Sequence, residues 1–88
     1  MANSASQIKR NRQNEKARQR NKAVRSEMKT RTRLTLEAAE SGDAEAARES
    51  LRLAQQRIDT ATSMGVFHKR TAARRKSQLT RRVEQLLG

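Results

Sequence analysis

Apolar side chains return at alternating steps of three and four over one stretch of the chain: Ala44, Ala47, Leu51, Ala54, Ile58 and Ala61. That spacing lines a single face of an α-helix. Arg48, Glu49, Arg52, Gln55 and Gln56 fall on the remainder of its circumference, where solvent is expected. A thinner stripe runs through Ala72, Leu79, Val83 and Leu86. A third, narrow one runs through Ala17, Val24, Met28, Thr35 and Ala39, and upstream of Ala17 the only bulky internal apolar residue is Ile8. The chain has no proline and is rich in Ala, Arg, Lys, Glu and Gln, which all favour helix.

Gly42 and Gly65 stand where these patterns stop, the place of a glycine that closes a helix. Asp43 follows as an N-cap, with Glu45 in the first turn suited to the helix dipole. The spacing therefore predicts helices over about 6–40, 44–63 and 69–87, joined by Ser41-Gly42-Asp43 and Gly65-Val66-Phe67-His68. Phe67, with Val66 and Met64, is expected to staple the second link to the core. Short links make successive helices antiparallel neighbours. The expected fold is all-α: one domain over 1–88, an antiparallel three-helix bundle with a long projecting N-terminal helix.

Composition bears on how such a bundle holds together. Leu, Ile, Val and Phe make up 13 of 88 residues while the net charge is +12. Few large apolar groups at high net charge mark a chain that orders poorly alone. A polyanionic partner would stabilise it by binding only the folded form. With no cysteine in the sequence, a disulfide-stapled secreted module and a thiolate metal site are both ruled out.

The charge is distributed as basic, acidic, basic. Residues 1–33 carry net +9, residues 34–64 net −3 and residues 65–88 net +6. On the first helix Arg18, Lys22, Arg25, Lys29 and Arg33 recur at helical steps and form one stripe, while Lys9, Arg10, Arg12 and Lys16 surround the axis upstream. The third helix opens with His68-Lys69-Arg70 and continues with Arg74-Arg75-Lys76. Cations near a helix start oppose its dipole unless an anion is adjacent, and a phosphate there would reverse the sign. For His68 a plain capping role stands beside a phosphate or ribose contact.

Other functions find little support. A lone His in a link and carboxylates on solvated faces point to no enzyme, no metal site and no cofactor. No apolar run approaches the ~20 residues of a bilayer span, and Ile8, Ala17 and Val24 are too thin a face for a membrane surface. Asn14, Ala17, Asn21 and Arg25 faintly suggest a leucine-zipper basic region, but Met28, Thr35 and Gly42 occupy the heptad continuation. Residues 1–26 are Arg-rich and Ser-containing like a transit peptide, yet the helix runs on without a processing signal. With a single Phe and no Tyr or Trp, the chain lacks the set of stacking residues that single-strand and sheet-type RNA readers use. What remains is Arg and Lys on phosphates, with structured RNA first and sequence-tolerant duplex DNA as the alternative.

The residues also carry a family resemblance. Met1-Ala2-Asn3, Ile8-Lys9-Arg10, Glu15-Lys16-Ala17-Arg18, Asn21 and Arg25-Ser26 resemble the start of the bacterial small-subunit ribosomal protein twenty family. Gly42-Asp43 with its following alanines, then Gly65, His68-Lys69, Ala72-Ala73-Arg74-Arg75-Lys76-Ser77 and Leu79, resemble its middle and end. Ser4-Ala5 and Arg70 depart from the common pattern. The resemblance implies a cytoplasmic, ribosomal protein with two partners, small-subunit rRNA and the small subunit itself, that binds rRNA directly near the base of the body, joins early and acts on no small-molecule substrate. By position it implies rRNA contacts at Lys9, Arg10, Arg12, Lys16, Arg18, Lys22, Arg25 and Lys29, and at His68, Lys69, Arg74, Arg75 and Lys76.

Overall fold

The computed structural model describes residues 4–88, so Met1-Ala2-Asn3 lies outside the described residues. Three helices follow in order: α1 (Ala5–Glu40), α2 (Ala44–Ser63) and α3 (Lys69–Leu87). Each boundary has a local cause. Ser4 and Gln7 form a capping box, with the Ser4 hydroxyl accepting the Gln7 N–H and the Gln7 amide oxygen accepting the Ser4 N–H, both at 3.2 Å. The Asp43 carboxylate accepts the Ala46 N–H at 3.1 Å at the start of α2. Gly42 and Gly65 both take positive φ, +82° and +80°, where a Cβ would be strained, and turn the chain out of the first two helices.

His68 is the N-cap of α3: its Nδ1 accepts the Arg70 N–H at 3.1 Å. An acceptor Nδ1 leaves the ring proton on Nε2. Loss of an N-cap side chain costs about 1 kcal/mol. His68→Ala is therefore expected to lower the urea midpoint of the free protein, and His68→Asn, which restores a capping oxygen, to recover most of it. Equal midpoints for all three proteins would show that the cap adds nothing.

The helices pack antiparallel in sequence, as cross-helix contacts at both seams show. Between α1 and α2 the Arg20 guanidinium reaches the Met64 carbonyl at 3.4 Å, and the Glu27 carboxylate pairs with Arg57 at 3.2 Å. Between α2 and α3 Gln55 donates to Thr80 at 2.8 Å and Lys76 pairs with Asp59 at 2.8 Å. The core has two lobes. Met28, Ile58, Ala61, Val66, Phe67 and Ala72 fill the one near the second link, with Val24 against it. Ala39, Ala47, Ala54, Leu79 and Val83 fill the other, flanked by Leu36, Ala38, Leu51 and Leu87. Thr35 is fully buried and turns its hydroxyl back to the Arg31 carbonyl at 2.8 Å.

Three sequence expectations need correction. Leu86 is exposed and its neighbour Leu87 takes the core position. From Val83 both lie at helical steps, three and four, and it is the second that packs against the lobe of Ala39, Ala47, Ala54, Leu79 and Val83. Met64 is exposed, because Val66 and Phe67 already close the second link over Ile58 and Ala61. Gln55, expected in solvent, is half-buried on the α2–α3 seam by its bond to Thr80.

The molecule measures 62 × 22 × 16 Å, the long axis being set by α1. From Ala5 to Lys16 every residue of α1 is exposed, and Ala17 is the first to be half-buried. The outer third of α1 is a bare cationic rod.

Candidate nucleic-acid interface

The stripe of Arg18, Lys22, Arg25 and Lys29 borders a shallow trough of about 550 Å³ along α1, into which Asn14, Asn21 and Ser26 also project. No carboxylate lines it. Farther along, Lys29 and Arg33 face Arg75 of α3 across a second groove of about 520 Å³, closed at its far end by Glu37 and Glu40. The fold thus sets the basic side of α1 beside the basic side of α3. The cations of two sequence segments become one surface.

Each predicted position has a distinct setting on it. Lys9, Arg10, Arg12 and Lys16 stand on the projecting rod, all exposed. Arg18 shares a carboxylate with its own helix at Glu15, 2.8 Å away, and Arg33 does so at Glu37, 3.0 Å away. Exposed pairs of this kind are worth about 0–1 kcal/mol and yield readily to a phosphate. Lys22, Arg25 and Lys29 have no ion pair among the described residues.

On α3, His68, Lys69, Arg70 and Arg74 are exposed around the helix start. The capping bond orients the His68 ring and leaves its Nε2 proton for an acceptor. Arg75 lies over the Phe67 ring at 4.8 Å from the centroid, a cation–π contact that fixes its direction. Lys76 differs from the others, since it is tied to Asp59 and half-buried on the α2–α3 seam.

Two arginines outside the predicted set reach the same side of α3. Arg82 and Arg81 border a cleft that also holds Arg75 and Gln78. The signal was present in the sequence: Arg75, Gln78 and Arg82 are spaced by three and four and share one helical face. Arg20 and Arg31 belong elsewhere, Arg20 on the Met64 carbonyl and Arg31 beside Glu27 at 3.6 Å.

Helix α2 turns a self-neutralised face to solvent. Arg52 donates to both Glu49 oxygens at 3.2 and 2.6 Å. That hydrogen bonding, with the guanidinium charge, holds the Glu49 carboxyl below its ordinary value and the Arg52 guanidinium above its own. The two charges of this pair cancel locally on α2.

Comparison with known proteins agrees with this geometry. The family described as ribosomal protein S20 matches residues 2–84. A small ribosomal subunit protein bS20 of Beutenbergia cavernae is 55% identical over 86 residues, covering 98% of this chain and all of the relative. The bS20 protein of Streptomyces avermitilis is 54% identical over 88 residues, the full length of both chains. That of Salinispora tropica is 55% identical over 83 residues, 94% of each. Identity at this level along the whole basic–acidic–basic chain places the protein in the ribosomal protein S20 family.

Proposed function

We propose that this protein is a structural constituent of the small ribosomal subunit, within the bacterial cytoplasm, that binds small-subunit rRNA directly and stabilises its tertiary fold. The observation that supports this most is the cationic side formed by α1 and α3, where Arg18, Lys22, Arg25 and Lys29 line an acid-free trough and Lys29 and Arg33 face Arg75 across a second groove. Lys9, Arg10, Arg12 and Lys16 on the rod, Arg18, Lys22, Arg25, Lys29 and Arg33 on the stripe, and His68, Lys69, Arg70, Arg74, Arg75 and Lys76 on α3 are the proposed rRNA contacts. The rod and the bundle sit at opposite ends of a 62 Å molecule, which lets one chain neutralise phosphate ridges of separate RNA segments as they converge. The role is one of scaffold rather than catalyst.

Competition tests the reading. Labelled small-subunit rRNA bound to the full chain is challenged with duplex DNA. Retention of the complex under a large mass excess of DNA is expected. Displacement at comparable mass would instead mark a sequence-tolerant duplex-DNA binder.

A further inference from the structure

Where the three helices meet on the cationic side, a cleft of about 370 Å³ opens. Its floor is Met28, Ile58 and Leu79, one residue from each helix. Arg75 and Arg82 stand over it from α3, and Thr32 and Gln78 bring a hydroxyl and an amide to its edge from α1 and α3. No carboxylate lines it, whereas the groove on the other flank of α3 holds Asp59 and Glu84. The α1 trough is equally free of acids, but its floor is alanine and asparagine. Among the described residues, this cleft joins a bulky apolar floor to an unopposed cationic rim, which the α1 trough and the groove holding Asp59 and Glu84 do not.

That combination selects an occupant with a flat, weakly polar body and a negative charge fixed beside it. A paired RNA helix does not present one, because its bases are stacked inward and it offers phosphates and a shallow groove. A nucleotide turned out of its stack does. Its base would lie on the apolar floor, its edge would meet the Gln78 amide, which both donates and accepts, and its flanking phosphates would meet Arg75 and Arg82. The cleft volume lies at the lower end of the roughly 300–1,000 Å³ of small-ligand sites, which suits one base and not a larger group. Phe67, the only Phe, Tyr or Trp of the chain, is buried under Arg75 and is not free to stack on RNA, and the exposed His68 does not line this cleft. Guanidinium planes and aliphatic surface must serve instead.

We infer that this cleft receives a single unstacked nucleotide of the bound RNA and reads its base edge through Gln78. The inference rests on the rRNA-binding reading above and adds a base-reading point to an otherwise backbone-directed surface.

The test uses the full chain with naked small-subunit rRNA, probing base edges chemically and the sugar backbone by hydroxyl-radical cleavage. Gln78 is exposed, so Gln78→Met and Gln78→Glu leave the core untouched, and thermal melts of both variants check this. The wild type is expected to protect the base edge of one unpaired nucleotide. Both variants are expected to restore its reactivity and weaken binding roughly tenfold while the backbone footprint persists. Unchanged base reactivity in both variants overturns the inference, as does an effect of Gln78→Glu alone, which would report charge and not recognition. A wild type that protects nothing anywhere would overturn the rRNA reading itself.

Discussion

Replacing Phe67 by alanine is expected to abolish cooperative folding of the free protein. Of the eleven buried apolar residues five are alanines, which leaves Met28, Ile58, Val66, Phe67, Leu79 and Val83 to supply bulk. Phe67 is the largest of these and sits at the centre of the lobe that ties the second link to α1 and α2. Truncating a buried Phe to Ala typically costs about 3–5 kcal/mol. At about 0.05–0.15 kcal/mol per residue, 88 residues have a stability of roughly 4–13 kcal/mol, and a core with six bulky side chains lies at the lower end of it. The loss therefore matches the whole stability. Far-ultraviolet circular dichroism during urea titration should show a gradual, non-sigmoidal change in Phe67→Ala.

Phe67→Leu provides the contrast. It keeps most of the volume, and hydrophobic swaps of that kind usually cost less than about 1.5 kcal/mol. It also removes the ring beneath Arg75, a contact worth about 0.5–1 kcal/mol at an exposed site. This variant should still unfold cooperatively at a lower midpoint. Adding small-subunit rRNA should raise helicity in Phe67→Ala, because a ligand that binds only the folded form stabilises it by mass action. A wild-type midpoint in Phe67→Ala would show that the lobe is not held by this residue.

The helices were legible because nothing in the chain contradicts them. Gly42 and Gly65 interrupt a proline-free, helix-favouring sequence, and Asp43 caps the helix that it precedes. The Ser4–Gln7 capping box also follows a readable Ser-x-x-Gln spacing, but the absence of any apolar stripe nearby hid its significance. Positions that depend on packing were not legible. Leu86 and Leu87 are equivalent by period, and only the packing of α3 in the bundle chooses between them, seating Leu87 against the lobe that holds Ala39 and Ala47. Gln55 reads as a solvent residue until Thr80 is brought beside it.

The same distinction runs through the interface. The α1 stripe is local geometry and follows from residue numbers. Its union with Arg75 and Arg82 depends on the packing of α3, which periodicity does not specify. Lys76 shows the converse: it belongs to a basic run in sequence, and the fold pairs it with Asp59, which a phosphate would have to displace. The apolar floor under Gln78 draws one residue from each helix, so no segment of the chain reveals it.

Removing the unpaired heart of the stripe should produce the largest loss of RNA affinity. Lys22, Arg25 and Lys29 line one acid-free trough, and converting all three to Gln keeps helix propensity and takes no ion pair from the bundle. If each meets a phosphate, the slope of log affinity against log salt should flatten by about 2–3 units, since one contact contributes roughly 0.7–0.9. Affinity at low salt should fall by about 10²-fold, uniformly across RNA sequences. The thermal transition of the free protein should stay close to the wild type or rise slightly as like charges are removed. Arg48→Gln with Arg52→Gln on α2 also lowers the net charge, but at exposed positions outside the α1 trough, where Arg52 is already paired with Glu49. If binding responds to total charge alone, this control will weaken it in proportion to two cations. If the α1 face is the contact surface, the control will leave both affinity and slope near the wild type. Proportional loss in the control would remove the spatial argument and leave only an attraction between a basic chain and a polyanion.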